Sequence, residues 1–451
     1  GLGFTVGDGT ADGTMTFTGS LANINAALEG LTYAPTAGYN GAASLSITTS
    51  DLGNTGNGGA LSANDSIAIQ PAKSTHFAVF SDPHLYDTSK LGSSSELDTL
   101  LLQDHKMIKD SAEILDAVIS DLNATSLDFV LVPGDLTKDG ELVNHELMAQ
   151  KLALLEASGK KVYVIPGNND IYNPDAKSYL TTPASSVANI GPADFSRIYR
   201  NFGYGEAAYQ DSNSLSYIAE PVPGLWLFAI DSNKYATGTT TATSSGAITA
   251  ATQNWILAKL QEARQLGKQV IGMMHHGIAE HYSGQTTVSP GYVLDEYATV
   301  GKLLADNGLN VMFTGHYHAN DVVRRDFTSS VLHDIETGSI VTAPNPYRIM
   351  AWDIAGKTLS VSTRTVQRTT SQANFPAYAT GYITPRMTAR AQSLLVTQYG
   401  LDTTSAANFA PAFAQTFIAH YAGDEQLTDP ATRATLNTMT ASGNATIRNL
   451  G

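Results

Sequence analysis

Apolar residues along this chain follow three different rhythms. In the first seventy positions they stand singly between clusters of Gly, Asn, Asp, Ser and Thr. Short alternating stretches there predict strands at 14–18, 31–34, 43–49 and 66–70, with turns at 38–41 and 51–59. From His76 the rhythm changes to short continuous apolar runs separated by helical periodicity. The runs at 76–80, 129–132, 162–165, 225–230, 269–274 and 309–313 read as buried strands. Met107, Leu115, Val118 and Leu122 mark one face of a helix, as do Met148, Leu152 and Leu155. Further helices are predicted at 250–266 and 295–307, and a closing hairpin at 347–353 and 357–363 about Ala355-Gly356. Beyond residue 367 the pattern is helical. Phe409, Phe413, Phe417 and Tyr421 recur every fourth residue, a stripe expected to face a core rather than to stack on a cofactor.

Buried strands alternating with helical crossovers imply a layered α/β domain covered on its faces. The organisation that follows is an all-β N-terminal module at 1–73, an α/β domain at 74–366 and a helical extension at 367–451 docked on it.

Composition narrows the partners. In 451 residues there are 26 Lys and Arg against 41 Asp and Glu, a formal charge of −15, and a nucleic-acid polymer needs a basic footprint that such a chain lacks. Cysteine is absent, which excludes disulfides, thiolate metal sites and cysteine nucleophiles. The first seventy residues hold thirteen glycines and neither Lys nor Arg. Together these features point to a secreted or cell-surface setting. No run approaches the roughly eighteen apolar residues that span a bilayer. The chain starts at Gly1, so a signal peptide is expected to lie outside this sequence.

Five of the predicted strands run into polar clusters: Ser81-Asp82-Pro83-His84, Pro133-Gly134-Asp135, Pro166-Gly167-Asn168-Asn169-Asp170, His275-His276-Gly277 and Thr314-Gly315-His316-Tyr317-His318. Ligands of α/β sheets sit beyond the carboxyl ends of the strands, so these loops should converge. Aspartate, asparagine and histidine without sulfur suit Mn, Fe or Zn, and one aspartate placed between two ions can bridge them. Two cations about 3.5–4 Å apart lower the pKa of a shared water toward about 7 and neutralise phosphoryl oxygens.

In this order the five fragments resemble the signature of the calcineurin-like metallophosphoesterase superfamily, Asp-x-His, Gly-Asp, Gly-Asn-His-Asp, His, Gly-His-x-His, over residues 74–366. The sequences at 134–141 and 167–176, with Asp194-Phe-Ser-Arg-Ile-Tyr, Asn201-Phe-Gly-Tyr and Ser214-Leu-Ser-Tyr, resemble most the bacterial cyclic-nucleotide phosphodiesterase branch. Residues 24–35, Tyr39-Asn-Gly and Ser44-Leu-Ser-Ile resemble cadherin-like and immunoglobulin-like repeats of bacterial surface proteins. The resemblance implies a layered β-sandwich flanked by helices and two divalent or trivalent transition-metal ions. It places Asp82, His84 and His318 on one ion and Asn168, His275 and His316 on the other, with Asp135 bridging. His275 is preferred to His276 because it directly follows the apolar strand. Asp139, Asp170 and Asp321 are candidates to orient the imidazoles, with turn and cap roles as the alternative. Asp51 and Asp65 are candidates for calcium in the N-terminal module, with solvated turns as the favoured alternative.

Where the family has Gly-Asn-His-Asp, this chain has Asn169. An amide can donate a hydrogen bond but cannot deliver a proton, and a general acid contributes about 10²- to 10⁴-fold. Either His276 or His281 enters the site instead, or the enzyme acts on esters with acidic leaving groups. The function implied is hydrolysis of small phosphate esters by a metal-bridging hydroxide. Diesters come first, whether cyclic-nucleotide, aryl or alkyl, extending to triesters, in a scavenging role outside the cell. A phosphomonoesterase or nucleotidase, and a degenerate non-catalytic binding module, are the alternatives.

Overall fold

Strands form where β-branched and aromatic residues run uninterrupted, and helices where apolar residues return every three or four positions. The computed structural model describes residues 1–34, 43–54, 58–69, 74–234, 242–353, 356–423 and 429–442. The chain divides into two units, residues 1–71 with 264–268, and residues 72–263 with 269–451.

In the first unit β1 (Gly3–Val6) pairs antiparallel with β2 (Thr16–Thr18). Helix α1 (Leu21–Glu29) follows, then the hairpin of β3 (Ala43–Ser50) and β4 (Ser62–Ile69). The helix corrects the all-β expectation. Ser20 caps it by accepting from the Asn23 amide, and Leu21, Ile24 and Leu28 carry a helical spacing that the surrounding turn-rich composition obscured. The strand expected at 31–34 does not form, and the turn expected at 38–41 lies outside the described residues. None of the described residues between 1 and 69 is buried. Asp51 serves its own turn, accepting from the amides of Gly53 (2.9 Å) and Leu61 (2.8 Å), while Asp65 is exposed on β4. Neither belongs to a cluster of candidate metal ligands among the described residues.

The second unit opens with β5 (Ser74–Val79), α2 (Thr88–Leu91), α3 (Ser95–Leu100), α4 (Ser111–Ala124), β6 (Phe129–Val132), α5 (Leu142–Glu156) and β7 (Lys161–Val164). Next come β8 (Lys177–Ser178), β9 (Ser185–Ser186), α6 (Pro192–Ile198), β10 (Tyr209–Gln210), β11 (Tyr217–Val222), β12 (Leu225–Ile230), α7 (Ala250–Gln265) and β13 (Gln269–Met274). Then follow α8 (Gln285–Val288), α9 (Tyr297–Asp306), β14 (Val311–Thr314), β15 (Val322–Asp326), β16 (Val331–Glu336), β17 (Pro346–Asp353) and β18 (Thr358–Thr365). Beside the short β8-β9 pair, two mixed sheets result, in the orders β18-β17-β5-β6-β7 and β10-β11-β12-β13-β14-β16-β15; β5, β6 and β7 are parallel in the first, and β12, β13, β14 and β16 in the second.

The β-strand period of two assigns each side chain to a layer. Leu225, Leu227 and Ala229 join Phe77, Phe129 and Phe313 in one core, while Trp226, Phe228 and Ile230 pack with Ile256, Leu260 and Leu304 of α7 and α9 in another. Phe77 stacks on Phe129 at 4.5 Å and meets Phe313 edge-on at 5.4 Å, which ties the two sheets together.

The C-terminal helices are α10 (Phe375–Thr397), α11 (Thr403–Ala422) and α12 (Pro430–Thr440). Phe375, Ala379, Ile383, Met387, Ala391 and Leu395 bury one face of α10 in the same core as the first sheet. On α11 the fully buried positions are small, among them Ala406, Ala410 and Ala414. The expected aromatic stripe is therefore displaced from the core interior. Phe409, Phe413 and Phe417 are only half-buried at its edge, and Tyr421 alone of the four is buried. Among the described residues no helix is long and apolar enough to cross a membrane.

Candidate functional site

The loops after β5, β6, β7, β13 and β14 meet at one end of the paired sheets. Their backbones are contorted to do so. Asp82 (φ 50°), His84 (38°), Asp135 (47°), His316 (77°) and His318 (66°) all adopt left-handed backbone, five of the eleven non-glycine residues that do so among those described. Such conformations cost of order 1–3 kcal/mol each and persist where surrounding contacts enforce them, most often at functional sites. Gly134 (φ +97°) shows how tight the convergence is, since a Cβ there would lie 2.5 Å from His275 Nδ1.

Two groups of buried ligating atoms result: Asp82, His84 and His318, and Asp135, His275 and His316. In the first, His84 Nε2 lies 3.1 Å from His318 Nε2, and His318 Nε2 lies 3.5 Å from Asp82 Oδ1. In the second, His275 Nε2 lies 3.1 Å from Asn168 Oδ1. Asp135 stands between them, Oδ2 at 3.6 Å from His84 Nε2 and Oδ1 at 3.5 Å from His275 Nε2. All seven sequence candidates are thus brought together.

The second nitrogens of three rings are held by groups other than the candidate ligands. His275 Nδ1 donates to the Pro133 carbonyl (2.8 Å) and His316 Nε2 to the Gly291 carbonyl (3.1 Å). His318 Nδ1 lies 3.0 Å from both Thr342 Oγ1 and His105 Nε2. Anchoring one nitrogen fixes the tautomer and leaves the other as a free electron pair. Burial and the neighbouring His275 push His316 down to about 4, and burial with Lys106 pushes His318 down to about 3, so both rings are neutral near pH 7. Burial and the nearby Asp82 push Asp135 up to about 6. Acceptors that converge with so few protons between them repel one another, and a cation resolves the conflict. Ligand bonds of about 2.0–2.1 Å place neighbouring donor atoms about 3.0–3.4 Å apart, close to the separations found here, so the residues present fit two transition-metal ions.

Other expectations are corrected. His276 borders the site but both its nitrogens are committed, Nδ1 to Ser232 Oγ (2.7 Å) and Nε2 to the Ser244 carbonyl (3.0 Å). His281 lies away from the cavity, with Nδ1 3.0 Å from Asp321 and Nε2 3.4 Å from both Asp334 and Glu336. Burial alone would depress its pKa, but Glu336, Asp321 and Asp334 outweigh burial and hold it well above the ordinary value. It is a structural imidazolium. Asn169 donates its backbone N–H to Asp135 Oδ1 (2.9 Å) and its side-chain N–H to Oδ2 (2.6 Å), so it positions the shared carboxylate.

Asp139, Asp170 and Asp321 touch none of the candidate ligand rings. Asp139 pairs with Lys138, and Asp321 with His281. Asp170 clamps two loops by accepting from the amides of Leu136 (3.0 Å), Thr137 (3.0 Å) and Gly167 (2.8 Å). Sequence reasoning missed His105, Lys106, Thr342 and the carbonyls of Pro133 and Gly291. The triplet Asp104-His105-Lys106 was the one visible signal, and it follows no apolar strand.

A cavity of about 440 Å³ opens over the two groups. Its lining combines Lys106, Asn168, Asn169 and the rings of His84, His105, His316 and His318 with Leu394, Tyr399, Phe413 and Phe417 of the helical extension.

A family model described as calcineurin-like phosphoesterase matches residues 75–320. The chain belongs to the calcineurin-like phosphoesterase family. No curated protein sequence matches it. Among solved structures it is similar to a dimetal phosphatase from Danio rerio, at 13% identity and a TM-score of 0.44, covering 65% of this chain and 99% of that one. It is also similar to the sulfate thiohydrolase SoxB of Thermus thermophilus, at 11% identity and a TM-score of 0.36, covering 70% of this chain and 60% of that one. Neither likeness reaches a TM-score of 0.5, and the family assignment rests on the sequence match. This phosphoesterase places all seven candidate ligands inside or immediately beside the matched span's motifs, while the aromatic wall at 394–421 lies beyond it.

Proposed function

We propose that this calcineurin-like phosphoesterase hydrolyses phosphodiesters in preference to monoesters, with Asp82, His84 and His318 holding one metal ion, Asn168, His275 and His316 the other, and Asp135 both. The observation that carries the metal assignment is the split of the Asp135 carboxylate, one oxygen facing His84 and the other His275. Bound there, a pair of such ions supplies Lewis-acid activation of water and charge neutralisation at phosphorus.

The chain's own residues support the diester. Lys106 in the lining of the cavity offers an anion a cationic partner, and its charge is secure, since Asp104 and Asp139 raise its pKa against burial. The cavity volume exceeds what a phosphate alone would fill and lies within the range of small-molecule sites, about 300–1,000 Å³. The amide of Asn169 is engaged with Asp135, and both nitrogens of His276 are engaged with Ser232 and Ser244, so neither protonates a departing oxygen. The geometry therefore favours acidic leaving groups over alkyl alcohols.

The glycine-rich region ahead of the enzyme, with its β3–β4 hairpin, supports the reading of a cadherin-like spacer in an exported bacterial protein, and scavenging of extracellular diesters suits that setting. Hydrolysis of bis(p-nitrophenyl) phosphate against p-nitrophenyl phosphate tests the proposal. The diester is expected to react faster by kcat/KM, and a monoester preference above about tenfold would reverse the order.

A further inference from the structure

The aromatic stripe of α11 is only partly spent on the core: Tyr421 is buried in it, while Phe409, Phe413 and Phe417 pack against its edge. Phe413 and Phe417, one turn apart, stand half-buried at the cavity wall, and Tyr399 from the end of α10 joins them. Their rings form a staggered panel. Tyr399 and Phe413 have centroids 6.4 Å apart at 72°, and Phe413 and Phe417 5.7 Å apart at 73°. A second cavity of about 320 Å³ adjoins the first and shares Val288, Tyr317 and Phe417 with it, so the apolar surface continues past the panel.

This surface is joined to the candidate metal centre. Tyr421, one turn beyond Phe417, stacks on His105 at 5.1 Å and 23°, and His105 Nε2 lies 3.0 Å from His318 Nδ1. The same cavity is lined by polar groups as well, among them the exposed Arg390 of α10. Half-exposed aromatic rings offer apolar area whose burial under a ligand ring is favourable, and edge-to-face contact is one of the preferred ring geometries.

We propose that the panel of Tyr399, Phe413 and Phe417 is the subsite for an aromatic arm of the ester, making the helical extension the part of the enzyme that selects aryl over small alkyl substituents. The inference rests on the proposed phosphodiester chemistry and names the substrate class for that site. The ester's phosphoryl group lies at the polar end beside Lys106, and its ring stacks on the panel. These aromatics are specificity residues and touch no reacting atom.

Calorimetric binding to the metal-loaded protein tests this without turnover. Methyl(phenyl)phosphinate and dimethylphosphinate are monoanions like a diester, and their P–C bonds offer no ester to cleave. The wild type is expected to bind the phenyl compound about tenfold more tightly, a gain typical of one stacking contact. The pair Phe413→Ala and Phe417→Ala is expected to lose that preference while binding dimethylphosphinate within about twofold of wild type. Should the alanine pair fold poorly, Phe413→Leu with Phe417→Leu keeps apolar volume, and a lowered phenyl preference is again expected. Equal affinity of the wild type for both compounds, or a full phenyl preference in the folded variants, overturns the inference. A protein that shows the preference and its loss but cleaves no ester retains the aromatic subsite and refutes the proposed function.

Discussion

The cavity has two walls built on opposite principles. On the strand side six of the seven candidate ligands are buried and Asn168 is half-buried, five of the seven sit on left-handed backbone, and nearly every polar atom has a fixed partner. On the helical side Leu394, Tyr399, Phe413 and Phe417 are half-exposed, unstrained and, for the three rings, joined by ring contacts. Ions need ligand atoms placed to within a few tenths of an ångström, which only a heavily cross-bonded scaffold provides. A substituent on the ester needs only a flat apolar surface. Chemistry is therefore expected to be brittle to substitution on one wall, and selectivity to be tunable on the other.

The sharpest way to break this contrast is at Asp135. Asp135→Asn removes the negative charge that both metal groups share and replaces one of its two oxygens with an amide nitrogen, and activity is expected to fall by at least about 10³-fold, equal to about 4 kcal/mol of barrier, in steady-state assays with the fold unchanged by circular dichroism. A loss below tenfold would mean that the carboxylate is not shared.

The rigidity of the strand wall has its own test at His281. Its partner Asp334 accepts from the amides of Ile278 (2.6 Å) and Ala279 (3.1 Å) and from Thr314 Oγ1 (2.6 Å), and Glu336 accepts from the Ala319 amide (3.1 Å). The imidazolium thus faces the acidic groups that fix the loops bearing His275, His316 and His318, among which burial pushes Glu336 up to about 8. His281→Gln leaves them uncompensated, at a cost of about 3 kcal/mol. Because the folded pKa is raised, this stabilisation is complete below the unfolded value of about 6.5 and is lost as pH climbs through the folded value. Denaturation of wild type and variant should therefore show a gap that is widest in mild acid and narrows with rising pH. A gap that widens with pH contradicts the assignment.

Next in size is the comparison of adjacent histidines. His275→Ala is expected to weaken metal binding about 100-fold, a change of about 2.7 kcal/mol, whereas His276→Ala leaves metal content intact and lowers only the melting temperature. Equal metal loss from both variants would place His276 among the ligands. The smallest effect is expected at Asn169. Asn169→His restores a group able to protonate a departing oxygen, so turnover of alkyl diesters should rise relative to nitrophenyl diesters by about tenfold or more. An equal change for both esters would show that proton delivery does not limit the reaction.

The two walls also differed in how plainly the sequence announced them. Asp82, Asp135, Asn168, His275 and His316 each follow an apolar strand, and the strand–loop grammar reports where such a loop points. That grammar does not report ring orientation. His276 differs from His275 by one position, yet strand alternation and the Ser232 and Ser244 contacts turn its nitrogens away from the centre. His281 looked available because its three carboxylate neighbours come from residues 321, 334 and 336, distant in sequence. The helical wall was legible as a stripe but not as a surface. Alanines at 406, 410 and 414 let α11 approach the core closely and leave the phenylalanines at its edge, and spacing alone does not say which of two adjoining stripes is inside. In the N-terminal region Gly and Asn concealed α1, whose amphipathic signal is short.

The central claim is that two metal ions share Asp135, and metal content tests it most directly. Purified wild-type protein equilibrated with Mn, Fe or Zn and then desalted is predicted to retain about two ions per chain, and Asp135→Asn to retain fewer while remaining folded. Fewer than one tightly bound transition metal per wild-type chain would contradict the account and favour a non-catalytic binding module.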